Sequence, residues 1–178
     1  MSASRALCFI VLLFAAARPD FVSAQGAGQS DATAGCNHLS WSVASEREWF
    51  NDPKLAHRIS GARLRKIDRA VELALEPTKE MHLFLPPERQ PSPDSYSGEV
   101  TFFGVPKPGA YQITVSDDAW IDVFENGARL KRIAQTSAQN CRGIGRSARF
   151  DLAPGDLVLV ELTGAPNKSI KVAFAEAY

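Results

Sequence analysis

The sequence has little of what marks most catalytic and nucleic-acid-binding proteins. Its 20 basic and 20 acidic residues cancel, and a chain without excess positive charge is poorly suited to bind nucleic acid through bulk electrostatics. It contains no Gly-x-Ser-x-Gly motif, which would place a nucleophilic serine on a sharp turn. The histidines His38, His57 and His82 are too scattered for two imidazoles to share one face of an element. The sequence therefore predicts no nucleic-acid partner, no catalytic residue, no cofactor and no metal site.

One long apolar run, residues 6–17, lies near the N-terminus and follows Arg5. At about 1.5 Å per residue, this run is too short to cross a hydrocarbon core of about 30 Å as a stable anchor. The small residues of Val22-Ser23-Ala24 fit the site that a signal peptidase reads. We predict a signal peptide over residues 1–24, cleavage before Gln25, and a periplasmic or secreted protein with no membrane span. A retained membrane anchor is the alternative.

The predicted export accounts for the use of cysteine. Cys8 lies in the signal peptide, so the mature chain keeps only Cys36 and Cys141. Two cysteines in an oxidising compartment most simply form a disulfide, and we predict this one. Removing residues 1–24 leaves 18 basic and 19 acidic residues, hence a net charge of −1. The remaining length suits one domain with its own core.

The first part of the mature chain predicts little regular structure. Residues 25–35 are small and polar, and we expect a flexible lead-in there. Apolar residues then recur near helical spacing, which predicts one short helix over residues 41–50 that Asn51-Asp52-Pro53 ends. The basic stretch 54–69 shows little periodicity. We interpret it as a solvated connector, with a ligand-facing basic patch as the alternative.

From residue 71 onward, apolar and polar residues alternate with a period of two, which predicts β-strands. Turn-forming pairs separate the runs, and Asn126-Gly127 is the strongest hairpin signal because a type I′ turn needs positive φ at both positions. Many short strands with one helix and no repeat predict a mainly β fold, a single β-sandwich over residues 36–178 with jelly-roll or Greek-key connections. The predicted strands are 71–75, 81–85, 100–105, 110–115, 120–124, 128–133, 147–152, 157–162 and 170–174.

Both faces of the predicted strand 120–124 are rather apolar, which indicates a central strand with Asp122 partly buried. A buried carboxylate needs a partner, and the arginines after Cys141 are candidates. In the functional interpretation, Trp120 and Asp122 form the floor of a ligand site with Arg146 and Arg149 beside them, as aromatic platforms with a carboxylate hold sugars. In the structural interpretation, Trp120 belongs to the core and Asp122 to an internal ion pair.

Several stretches of the mature chain resemble other proteins. They are Cys36, Trp41, Glu46-Arg47-Glu48-Trp49-Phe50, Leu85-Pro86-Pro87-Glu88-Arg89, Gly109 to Ser116, Ala119 to Val123, and Cys141 with Arg146 to Phe150. Their order resembles a group of small exported bacterial proteins of unassigned function, some of which are named homogentisate 1,2-dioxygenase. That name implies an iron held by two histidines and a glutamate, and the chain has no matching motif for these ligands. Gly109-x-Tyr111 leading into Trp120-x-Asp122 also resembles, more loosely, the β-sandwich accessory domains of secreted bacterial peptidases.

Three classes of function follow from these observations. The first is a non-catalytic binding or envelope-accessory module whose partner is an envelope component or a small ligand. The alternative is a metal-dependent enzyme such as a homogentisate-type dioxygenase, which would need His57 or His82 to converge with carboxylates. The third is an assembly protein that docks through the edge of a sheet.

Overall fold

The structure is a computed structural model that describes residues 35–64, 69–137 and 139–177. The predicted signal peptide, residues 1–24, and the predicted lead-in up to residue 34 lie outside the described residues. Within the described ranges, no helix is long and apolar enough to cross a membrane.

The helical part of the chain is short and precedes the strands. A 3₁₀ helix spans Gly35–His38, and one α-helix, α1, spans Ala44–Phe50. The helix was predicted to begin at residue 41 but begins three residues later. The reason is that the Trp41 indole N–H donates to the hydroxyl of Ser147 on a strand, 3.1 Å away, which holds this part of the chain outside the helix.

Twelve strands form within the described residues. They are β1 (Ala56–Ile59), β2 (Ala62–Leu64), β3 (Ala70–Ala74), β4 (Glu76–Pro77), β5 (Tyr96–Phe103), β6 (Gly109–Val115), β7 (Trp120–Glu125), β8 (Ala128–Arg129), β9 (Ala134–Ser137), β10 (Arg146–Leu152), β11 (Leu157–Ala165) and β12 (Ser169–Glu176). Seven of the nine predicted runs coincide with strands to within a few residues at each end.

The strands form two six-stranded sheets that face each other. The first has the order β1-β3-β12-β6-β10-β9, and the second has the order β2-β5-β11-β7-β8 with β4 beside β5. Consecutive long strands alternate between the sheets, since β5 and β7 lie in the second while β6 lies in the first. This crossing is the jelly-roll arrangement. The predicted β-sandwich is therefore confirmed.

The main core lies between the sheets. Along β7, Ile121 and Val123 point inward and are fully buried, and the same alternation holds in the other long strands. Burial of these β-branched and aromatic side chains is the main favourable contribution to folding, about 25 cal/mol per Å² of apolar area. The largest core side chains include Leu73, Phe102, Ile113, Phe150, Leu162 and Ile170.

A second apolar cluster packs on the outer face of the first sheet. Leu39, Val43 and Phe50 from the helical segment contact Ala173 of β12 and Ile144. The predicted disulfide is present in this cluster and joins Cys36 to Cys141, across a sequence separation of 105 residues. The bridge and the cluster together attach the N-terminal segment to the sandwich.

The predicted strand 81–85 does not form, and this prediction was wrong. Residues 79–94 make a loop between β4 and β5, which we call the covering loop because it lies on the outer face of the second sheet. Met81 and Leu83 are half-buried while His82 and Phe84 are exposed, so a loop lying flat on a sheet produces the alternation of a strand. The backbone N–H of Phe84 donates to a side chain of the sheet instead of to a neighbouring strand.

The stretch 54–69 is more than a connector, because β1 and β2 form within it. Each pairs in parallel at the edge of its own sheet, β1 with β3 and β2 with β5. Three of the four side chains of β1 are exposed, so the strand shows no apolar alternation. Gly61, with φ of +82°, lies between the two strands where the chain passes from one sheet to the other.

The predicted hairpin at Asn126-Gly127 is confirmed. Both residues have positive φ, 51° and 77°, and Glu125 pairs directly with Ala128. The predicted strand 128–133 is shorter than expected, however. It ends at Arg129, because residues 130–133 cross to the first sheet, where β9 begins at Ala134.

Candidate functional site

The outer face of the second sheet carries a row of three carboxylates. Glu161 on β11 is paired in register with Glu99 on β5 and with Asp122 on β7. Ile121 and Val123 point to the core, so the alternation of the strand sends Asp122 to the opposite face. Asp122 and Glu161 are nevertheless almost completely buried, because the covering loop lies over them.

Backbone N–H groups of the covering loop bind both buried carboxylates. The N–H of Phe84 donates to Glu161 Oε1 over 2.5 Å, and the N–H of Glu88 donates to Asp122 Oδ2 over 3.2 Å. The ring of Phe84 meets Phe124 edge-on, with 5.5 Å between ring centroids. The carboxylates therefore hold the loop against the sheet.

Asp122 takes part in an internal ion-pair network, but its partners are not the arginines after Cys141 that the sequence suggested. Oδ1 lies 3.6 Å from Arg129 Nε and 3.6 Å from Arg132 Nη2. Arg132 also donates to Glu88 Oε2 at 2.9 Å and to the carbonyl of Ile121 at 2.8 Å. Arg129 at the end of β8 and Arg132 in the crossing to the first sheet thus compensate Asp122.

Burial is the largest cause of the raised pKa of each of the three carboxylates in the row. It raises the pKa of Glu161 above the ordinary value, and the charges of Glu99 and Asp122 raise it further, while the Phe84 N–H and Arg129 lower it. Burial likewise raises the pKa of Asp122, against the Glu88 N–H and its two arginines. The pKa of Glu99 is raised by burial and by Glu76. Glu161 Oε2 has no hydrogen-bond partner among the described residues, so ionisation of this side chain is costly.

Trp120 lies beside the row and is surrounded by arginines. The guanidinium carbons of Arg132, Arg146 and Arg89 lie 4.4, 5.0 and 5.9 Å from its ring centroid. Arg146 also pairs with Asp118, 2.5 Å away. Stacking of guanidinium groups on an indole is favourable and is strengthened where water is excluded.

The structure brings three of the four predicted ligand-binding residues to one region, namely Trp120, Asp122 and Arg146. Arg149 lies elsewhere, on the outer face of the first sheet. There its guanidinium is 4.3 Å from the ring centroid of Trp41, and its Nε donates to Gln112 Oε1 at 3.1 Å. Arg149 and Arg146 alternate along β10, so they point to opposite faces of that strand.

An apolar groove lies on the same face of the second sheet, at the far end from Trp120. It has a volume of about 680 Å³ and contains Phe84, Phe103 and Leu157, which are 52%, 50% and 51% exposed. Phe103 and Leu157 are direct cross-strand partners, so their side chains lie next to each other. The other lining residues are Arg63, Thr101, Phe124, Asn126, Gly127, Gly155, Asp156 and Leu159.

The sequence held a signal for this groove that the prediction of Trp120 and Asp122 did not use. Phe102 and Phe103 are adjacent in a predicted strand, and consecutive strand residues point to opposite faces. One of the two rings must therefore leave the core, and it is Phe103 that does so. Leu157 and Phe84 could not be found in this way, because their exposure depends on the register of β11 and on the course of the covering loop.

The histidines do not assemble a metal site in the part of the chain that the structure describes. His38, His57 and His82 are all exposed, and His57 contacts a single carboxylate, Glu72 Oε2 at 3.2 Å. Across the described ranges, no three His, Cys, Asp or Glu side chains are grouped so as to hold a metal ion. The convergence that the dioxygenase alternative requires is thus not seen there.

Comparison of the chain with protein-family models, with curated proteins and with solved structures finds no match.

Proposed function

We propose that the chain is an exported, non-catalytic binding module of the cell envelope, and that the apolar groove of the second sheet holds a segment of a partner protein. The observation that carries this proposal is the exposure of Phe84, Phe103 and Leu157 in one groove, where Phe103 and Leu157 are direct cross-strand partners. Single exposed apolar residues are common on proteins, but apolar side chains that share a concave patch with a polar rim mark interaction sites.

Export is supported by two features. The first 24 residues have the order of a signal peptide, and the disulfide between Cys36 and Cys141 suits an oxidising compartment. Sequencing the N-terminus of the protein from the exported fraction tests this part of the proposal. We expect the first residue to be Gln25, whereas an intact N-terminus in the cytoplasm would contradict export.

The chemistry of the groove favours an apolar segment with an acidic residue. Phe103, Leu157 and Leu159 offer apolar surface for side chains of the partner. Arg63 is exposed on the rim and forms no ion pair with any residue in the described ranges, whereas Asp156 already accepts from the amide of Asn126 at 2.8 Å. Asp156 keeps its negative charge, since an amide does not compensate it, but Arg63, unpaired among the described residues, offers a positive charge that a carboxylate of the partner would complement.

A binding role also agrees with the contacts that the buried carboxylates Asp122 and Glu161 make beside the groove. A pair of acidic residues can serve as general acid and base when both reach a substrate. Asp122 and Glu161 instead bind N–H groups of the covering loop and are almost completely buried. We infer that their role is to hold the loop that forms one wall of the groove through Phe84.

Selection of displayed peptides tests the groove. Random peptides are first selected for binding to the mature protein. Peptides that also bind the Phe103→Ser variant are then removed, so that only ligands of the groove remain. We expect peptides that combine large apolar residues with Asp or Glu. Leu157→Ser and Arg63→Glu should each weaken the selected peptide about tenfold, because one removes apolar contact and the other reverses the rim charge. Isothermal titration calorimetry measures these affinities.

Ile59→Ser is the matched control for these variants. Among the residues that the structure describes, Ile59 is the most exposed large apolar one, at 75%, and it lies on β1 of the other sheet. Its substitution should leave peptide binding unchanged. Selected peptides that bind Leu157→Ser and Arg63→Glu as tightly as wild type would overturn the proposal. So would a protein that binds oligosaccharides in the groove and enriches no peptide.

A further inference from the structure

A small cavity lies at the other end of the covering loop, distinct from the groove. It has a volume of about 170 Å³ and is lined by Arg89, Gln90, Pro91 and Ser92 of the loop and by Asp118, Trp120, Thr163 and Gly164 of the sheet. At about 30 Å³ per water molecule, it has room for roughly five waters or for one small ligand. Trp120 and Thr163 are direct cross-strand partners, so they share one wall.

Two buried polar groups of this wall have no partner among the described residues. They are the indole Nε1 of Trp120 and the hydroxyl of Thr163, whose residue is only 1% exposed. Buried donors are normally satisfied, because an unmade hydrogen bond leaves the donor desolvated without compensation. An indole N–H can only donate, and a hydroxyl can also donate. The wall thus offers donors to whatever occupies the cavity.

The charge at the cavity has the sign that complements an anion. Arg146 is paired with Asp118, and Arg129 and Arg132 are paired with Asp122 and Glu88. Arg89 also lines the cavity and lies 5.9 Å from the Trp120 ring centroid, but it forms no ion pair within the described ranges. The cluster therefore keeps one uncompensated positive charge beside two unused donors.

We propose that this cavity binds a small oxyanion, the carboxylate or phosphate group of a ligand, through Trp120 Nε1–H, the Thr163 hydroxyl and the Arg89 guanidinium. Charge-assisted hydrogen bonds to an oxyanion are stronger than those to a neutral acceptor, and guanidinium groups match its geometry. The Asp118 carboxylate does not oppose binding strongly, because Arg146 already neutralises it. This inference concerns a second site and does not depend on what the groove binds.

The indole N–H resonance of Trp120 in a ¹H–¹⁵N NMR spectrum tests the proposal directly. Mature protein is titrated with inorganic phosphate and, separately, with acetate, at constant ionic strength set by chloride. We expect the Trp120 signal to shift saturably while the Trp41 and Trp49 signals stay in place. Saturation by phosphate alone would assign the site to tetrahedral anions, and saturation by acetate alone would assign it to carboxylates.

Two variants and a matched control complete the test. Arg89→Gln and Thr163→Val should each weaken the anion about tenfold, since each removes one charge-assisted hydrogen bond. Arg69→Gln should have no effect, although Arg69 lies over Trp49 at the same distance, 5.9 Å, as Arg89 over Trp120. A Trp120 signal that does not saturate, or an equal effect of Arg69→Gln, would overturn the proposal and leave the cavity to water.

Discussion

Replacing Cys36 or Cys141 by serine is expected to lower the free energy of unfolding by about 3–4 kcal/mol. The bridge closes a loop of 105 residues, and a cross-link over such a length removes much of the entropy of the unfolded chain. It also joins the segment that carries α1 to the loop before β10. Without it, the apolar cluster on the first sheet must by itself hold the N-terminal segment in place.

Chemical denaturation followed by tryptophan fluorescence measures this effect. The two single variants should be destabilised alike, and the double variant should be no less stable than either, because all three lack the same bond. A thiol assay on the native protein without its predicted signal peptide, which contains Cys8, should detect no free cysteine. Free thiols there, or a double variant much less stable than the single ones, would show that the two sulfurs act separately.

Glu161→Gln is expected to raise the free energy of unfolding at neutral pH by about 1–3 kcal/mol. It should also make this free energy less dependent on pH. Glu161 Oε2 is buried without a partner among the described residues. Leaving a buried charged group unsatisfied costs at least about 1–3 kcal/mol, which is more than a neutral amide costs in the same place. The glutamine keeps an oxygen that accepts from the Phe84 N–H but carries no charge. It also removes the repulsion from Glu99 and Asp122.

The direction of the pH effect follows from the raised pKa of Glu161. The folded protein holds this proton more tightly than the unfolded chain, so the contribution to stability is complete below the ordinary pKa of 4.5. It is lost as the pH rises through the higher pKa of the folded state. Wild type should therefore lose stability relative to Glu161→Gln as the pH increases from about 4.5 towards neutrality.

Denaturation of both proteins across this pH range gives the difference in unfolding free energy. Taking the difference removes the contributions of titrating groups that do not interact with Glu161, while those of Glu99 and Asp122, whose charges act on it, remain. Glu80→Gln serves as the control, because Glu80 is exposed on the covering loop and should follow wild type at every pH. If Glu161→Gln proves less stable than wild type at neutral pH, the ionised carboxylate stabilises the loop and this account of the row is wrong.

The fold could be predicted from local pattern wherever a strand has one buried face. The strands with inward Val, Ile, Leu and Phe were found, as was the turn at Asn126-Gly127, because alternation and turn chemistry are local properties. β1 was missed because three of its four side chains are exposed, and β2 was missed because three residues are too few to show a pattern. The false strand 81–85 arose because a loop pressed on a sheet buries every second residue.

The candidate sites could be predicted only in part. Trp120 and Asp122 were singled out because the residues around them are apolar, and the pair does lie at a cluster of arginines. Their partners Arg129 and Arg132 were not foreseen, since the sequence predicted one continuous strand over 128–133, whereas β8 ends at Arg129 and Arg132 lies in the crossing to the first sheet. The groove depends on the pairing of β5 with β11, and register between distant strands is not encoded in local spacing.

A charge exchange across the groove tests the proposed binding function most directly. The peptide selected on wild type is compared with a copy in which its acidic residue is replaced by lysine, each titrated against wild type and Arg63→Glu. We predict that the lysine peptide binds Arg63→Glu at least fivefold more tightly than the acidic peptide does, and that the acidic peptide is preferred by wild type. Equal affinities in all four combinations would show that Arg63 does not contact the ligand and would contradict an acidic partner in the groove.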